Sequence, residues 1–173
     1  VLFRSVITGV WRMTIAYLIE LLAKYCEQLV ENYRMETGEV NHAAKKAPQV
    51  VKYFLPPKNP KPGNSNIPDL PAVIVRPTEG EDNDGGSTAK VMILVTTHSH
   101  DDDGIVDAVN ILQHVRDGLL RNRYLVDELG NKKFRAELPF KWSVYEEQSR
   151  PAWYASLLVN FEIAQSEEEI IYD

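Results

Sequence analysis

The sequence predicts an α+β fold, a largely antiparallel β-sheet of about five strands with two α-helices packed on one face. Three observations carry that expectation. Apolar residues recur three and four apart from Ile15 to Tyr33 and again from Ile105 to Leu119, the spacing that lines one face of a helix. Residues 134–144 and 153–163 alternate apolar with mostly polar side chains, the period-two pattern of strands buried on one side. Only a short polar turn around Glu146 to Arg150 separates these alternating stretches, so they pair as a long antiparallel hairpin.

The chain has 173 residues, enough for one domain. Residues 1–12, VLFRSVITGVWR, lack the apolar core and small-residue cleavage site of a secretory signal; they are read as a non-native extension, with Met13 as the native start. Residues 13–165 form the single domain. Residues 166–173, SEEEIIYD, are read as an acidic tail, a free end or a partner contact.

In the first helix Thr14 is the expected N-cap, and Ile15, Leu18, Ile19, Leu22, Cys26, Leu29, Val30 and Tyr33 form the apolar stripe. Glu20, Lys24, Glu27, Gln28 and Glu31 solvate the opposite side. That face is mainly acidic, whereas a membrane-surface helix would carry Lys and Arg there. Cys26 lies on the apolar stripe, where a lone cysteine behaves as a small hydrophobe.

Val50 to Leu55 reads as a short strand stopped by Pro56 and Pro57. Residues 56–71 hold six prolines in sixteen positions, incompatible with helix or central sheet, and read as a projecting semi-rigid loop. Ala72 to Arg76 is the next strand. Residues 77–88, PTEGEDNDGGST, read as a solvated acidic turn leading to the strand that begins at Lys90 and is buried from Val91 to Val95. The ligand order of an EF-hand loop is absent from that turn.

Asp101, Asp102 and Asp103 then precede the second helix. Asp102 or Asp103 is expected to accept hydrogen bonds from its first free amides, worth about 1 to 2 kcal/mol with the helix dipole. Arg116, Arg121 and Arg123 lie at or just past the other end, where cations are favoured. In the closing hairpin Pro139, which has no amide hydrogen, marks an edge or bulge, and Trp142 and Trp153 are expected to pair across the turn.

Chemistry-bearing side chains gather only at His98-Ser99-His100-Asp101-Asp102-Asp103. The segment resembles the HxHxDH element of metallo-β-lactamase-like hydrolases, in which such residues hold two metals that activate a water. Here the sixth position is Asp103 instead of histidine. The remaining histidines are His114, inside the second helix, and His42, in an upstream polar linker. A small metal-dependent hydrolase using His98, His100 and Asp102 is therefore the alternative reading, and an acidic helix start is the preferred one. The sequence has no GxSxG elbow, phosphate-cradling glycine loop, HExxH or cysteine pair. No residue is assigned a catalytic, cofactor-binding or metal role, and the expectation is a protein that is not an enzyme. The formal net charge of −6 excludes a chain whose main task is gripping nucleic acid, because that work consists of neutralising phosphates. No run of about 18 apolar residues is present to span a membrane.

The segments DDDGIVDAVNILQHVRDGLL and FRAELPFKWSVYEEQSRPAWYASLLVNFEI, with YFLPPKNPK and IVRPTEGED upstream, together resemble the small tail-completion, tail-terminator-like proteins of long-tailed bacteriophages and prophages. The resemblance covers residues 13–163. It implies a virion protein of the phage tail, assembled in the bacterial cytoplasm. Such a protein forms a homo-oligomeric ring, commonly a hexamer, that caps the tail tube protein, halts its polymerisation and meets the head-completion or connector protein. Another head–tail joining component is the neighbouring possibility. On this reading the contact devices are the proline-rich loop, the acidic loop at Glu79 to Asp84 and the hairpin tip between Trp142 and Trp153. Acidic side chains facing a channel would also keep passing DNA from sticking.

Overall fold

The computed structural model describes residues 14–34, 46–55 and 70–165. The extension at 1–12, the start at Met13, His42, nearly all of the proline-rich loop and the acidic tail lie outside the described residues.

Eight elements follow in order: α1 (Ile15–Val30), β1 (Gln49–Lys52), β2 (Ala72–Asn83), β3 (Gly86–His98), α2 (Gly104–Arg121), β4 (Tyr124–Val126), β5 (Lys132–Val144) and β6 (Ala152–Ile163). The strands form one sheet in the order β1-β2-β3-β6-β5-β4. The α+β class therefore stands, with six strands instead of about five and one parallel pair, β1 with β2. A parallel return needs a connection of about a dozen residues or more, and residues 53–71 supply the length. The added strand, β4, has three residues and follows directly on α2, too short to print an alternating pattern.

One row of each long strand faces the helices. Ala89, Val91, Ile93 and Val95 of β3 pair with Phe161, Val159, Leu157 and Ala155 of β6, and all eight are buried. Leu18, Ile19, Leu22 and Cys26 of α1 and Ala108, Ile111, Leu112, Val115 and Leu119 of α2 complete this core. Thr14 caps α1 as expected, its hydroxyl accepting from the Tyr17 amide at 3.3 Å. The stripe itself is rotated and broader than the spacing implied: Leu21 is buried, whereas Ile15 at the helix start is 41% exposed. Burial pushes the Cys26 thiol up to about 12, so it stays protonated and inert.

The helices cross closely at Gly118. A Cβ there would come within 2.8 Å of Leu29, and the Tyr25 hydroxyl of α1 donates to the Gly118 carbonyl at 2.9 Å.

The acidic stretch after Arg76 is strand, not loop. β2 continues through Glu79, Glu81 and Asp82 to Asn83, and only Asp84 and Gly85 make the turn. The Asn83 side chain accepts from the Gly85 amide at 2.8 Å, and Gly86 has φ +126°, open to glycine alone at low cost. Cross-strand chemistry offsets the low strand propensity of these acids: Glu79 is ion-paired with Lys90, which lowers its carboxyl pKa, and Asp82 accepts from the Ser87 hydroxyl.

A register shift between Glu137 and Lys141 divides β5. Pro139 sits within it, as the missing amide hydrogen predicts. Before the shift, Phe134 and Ala136 are buried; within it Leu138 is 54% exposed, and after it Trp142 is 59% exposed.

Candidate functional site

The junction between β3 and α2 is built by three segments. His98 ends β3 and pairs with Ala152 of β6. The loop beyond is pinned by main-chain bonds: the Ser99 amide donates to the Pro151 carbonyl at 2.9 Å, and the indole Nε1 of Trp153 donates to the Ser99 carbonyl at 3.0 Å. The Thr97 hydroxyl donates to the Gly104 carbonyl at 2.7 Å, tying the helix start to the strand it came from. Gly104 is required by this packing, since a Cβ there would run into the Trp153 ring and lie 2.8 Å from Ser99 Cβ.

Asp103 occupies the N-cap position but makes no side-chain capping bond. Its backbone is already helical, φ −68° and ψ −13°, whereas a capping carboxylate reaches the free amides from an extended backbone. The expectation that Asp102 or Asp103 caps the helix through its side chain is thus corrected. Asp102 instead meets Arg150 at 2.8 Å, an exposed ion pair, and Arg150 lies 5.0 Å from the Trp153 ring centroid.

The two histidines are together. The His98 and His100 rings meet edge to face with centroids 5.1 Å apart. His114 is elsewhere, against Tyr33 just past the end of α1 at 5.6 Å, and so is not brought to them. Among the described residues no three His, Cys, Asp or Glu side chains are grouped to hold a metal ion. The Trp153 indole thus staples together a strand end, a helix start and a hairpin tip.

The second feature is the outer half of β5. β4 pairs only with residues 132–135, so past the bulge β5 has β6 on one side and no strand on the other among the described residues. Trp142 and Val144 stand opposite Leu157 and Ala155, on the same face as the core. They continue that row beyond the cover of α2, and with Leu138 and Tyr145 they leave four large apolar side chains 38 to 59% exposed along a free strand edge. Val106 and Val109, on the first two turns of α2, are also exposed. On the opposite face the edge is tied by hydroxyls, Ser143 to Ser156 at 3.0 Å and Tyr145 to Ser156 at 3.2 Å.

Trp142 and Trp153 do not pair across the turn. Trp142 is opposite Leu157, whereas Trp153 is opposite Thr97 of β3 and 4% exposed. The shift at Pro139 and the length of the 145–151 turn set this offset. Arg150 as the partner of Asp102 was not foreseen, since a pair separated by 48 positions leaves no periodic signal.

Comparison with known protein families and with curated proteins finds no match to this chain. No helix among the described residues is long and apolar enough to cross a membrane.

Proposed function

We propose that this chain is a structural assembly subunit, a tail-terminator-like protein that joins copies of itself into a ring on the end of a phage tail tube. The observation that supports this reading best is the outer half of β5, an unpaired strand edge with Trp142, Val144 and Leu138 exposed beside it. Solitary proteins blunt such edges with charge, and here Lys141 is the only charged residue between the bulge and the turn. Aromatic anchors set in a partly apolar surface are the residues from which subunit contacts draw most of their energy. A head-to-tail contact that closes on itself gives a ring. The tube and the head connector, as partners, rest on the sequence resemblance alone.

Mass in solution tests the proposal. The wild-type chain should form an oligomer by light scattering or native mass spectrometry, and Trp142→Glu should return it to monomer with unchanged circular dichroism. A wild-type monomer at every concentration, in the presence and absence of tube protein, would overturn it. Zinc retained at His98 and His100, with turnover lost on chelation, would replace it with the hydrolase reading.

A further inference from the structure

The sheet is split at the end opposite the junction. β6 runs on through Glu162 and Ile163 paired only with β3, while residues Lys132 to Arg135 of β5 turn away and pair only with β4; the last β5–β6 partners before the split are Ala136 and Phe161. A cavity of about 470 Å³ opens in the gap. Three of its walls are cationic, Lys132, Lys133 and Arg135, against one carboxylate, Glu162. Its aromatic walls are Tyr124 and Phe134, with the Lys132 ammonium 4.4 Å and the Arg135 guanidinium 5.8 Å from the Tyr124 ring centroid. Lys133 is shared with Asp127 and Arg135 with Glu137, but Lys132 meets no carboxylate among the described ion pairs.

We propose that this split is a docking groove for an acidic extended segment, and that its occupant is residues 166–173 of the same chain. Three observations converge. Gln165, the last described residue, is itself a wall of the groove and is fixed there by donating to the Asn83 carbonyl at 3.1 Å. The eight residues that follow carry Glu167, Glu168, Glu169 and Asp173 and no base, the complement of a wall with three cations. The groove is flanked by two strand edges, β6 at Glu162–Ile163 and β5 at Lys132–Arg135, that do not pair with each other, so backbone groups on either side are placed to receive an extended chain. A segment tethered at the rim has a local concentration in the millimolar range, so weak surface pairing suffices to hold it.

The test compares the full chain with a variant in which Glu167, Glu168 and Glu169 are all glutamine, by amide chemical shifts. The resonances of Tyr124 and of Lys132 to Arg135 should differ between the two proteins at low salt, and the difference should collapse at about 0.5 M salt, where exposed charges are screened. Lys132→Glu should move the tail resonances of the wild type to their positions at high salt. A synthetic peptide of residues 166–173 should bind the neutralised variant and not the wild type, whose groove is filled. Groove resonances identical in the two proteins, or peptide binding equally to both, would overturn the proposal. Shifts that vary with protein concentration would assign the groove to another copy's tail and overturn the same-chain occupant.

Discussion

Trp142 and Trp153 belong to one hairpin, each at an apolar position of an alternating strand, and they meet opposite fates. Trp153 is 4% exposed, its indole bonded to Ser99 and its ring filling the notch left by Gly104; Trp142, on the same face of the neighbouring strand, is 59% exposed. The difference is what lies above them. β6 runs beneath α2, whereas the outer half of β5 extends past it. Alternation assigns a side chain to a face of the sheet, and a second layer decides whether that face is covered. In this fold the two helices cover the buried rows of β2, β3 and β6 and the inner half of β5 and stop short of its outer half, leaving core-type residues at the surface.

The largest test of that contrast is Trp153→Ala, expected to cost about 3 to 5 kcal/mol through lost burial and the cavity left behind, read from the denaturant midpoint. Gly104→Ala should cost about 1 to 3 kcal/mol, because the added methyl displaces the same ring; combined with Trp153→Ala it should cost much less than alone, and simple additivity would break the assigned contact. A third test moves to the turn that begins β5. There Asp127 accepts from the side chain and amide of Asn131, from the Leu129 amide and from Lys133, which pulls its carboxyl down to about 2 from an ordinary 3.8. A carboxyl with a depressed folded pKa stabilises fully above its unfolded value and loses that contribution as pH falls toward the folded one. Wild type and Asp127→Ala should therefore differ in melting temperature at pH 7 and converge between about pH 4 and pH 2. Arg150→Ala removes an exposed ion pair and a cation over Trp153, and should shift stability by about 1 kcal/mol or less. Smallest of all, Trp142→Ala should leave the isolated subunit within about 0.5 kcal/mol of wild type. Its effect belongs in the assembly state, and a loss of subunit stability as large as that of Trp153→Ala would erase the contrast between the two.

Where local chemistry decides the structure, the sequence was readable. Thr14 as cap, the apolar rows of both helices, the alternating strands and the class of fold follow from spacing and capping alone. Most of the misreadings share one cause, a structure settled by partners elsewhere in the chain, and Asp103 is the local exception. Glu79, Glu81 and Asp82 look like turn residues until Lys90 and Ser87 stand across from them. Asp103 looks like a capping carboxylate until its own backbone is seen to be helical. β4 has no pattern of its own and exists because Tyr124 and Leu125 find Arg135 and Phe134. At the junction the sequence gathers His98 and His100 into one cluster, and their rings do meet. The assignment of Asp102 to Arg150, and of Ser99 to Trp153, was not legible, because those contacts span the whole α2–β5 excursion.

The thiol of Cys26, sealed between α1 and the rest of the core, makes the chain its own recorder of opening events. A disulfide-linked pair of molecules can arise only after both have exposed that side chain, so the share of cross-linked dimer on a non-reducing gel measures how much of a sample has unfolded since it was made. Preparations from oxidising and reducing buffers should run alike until heat or denaturant lets solvent reach residue 26.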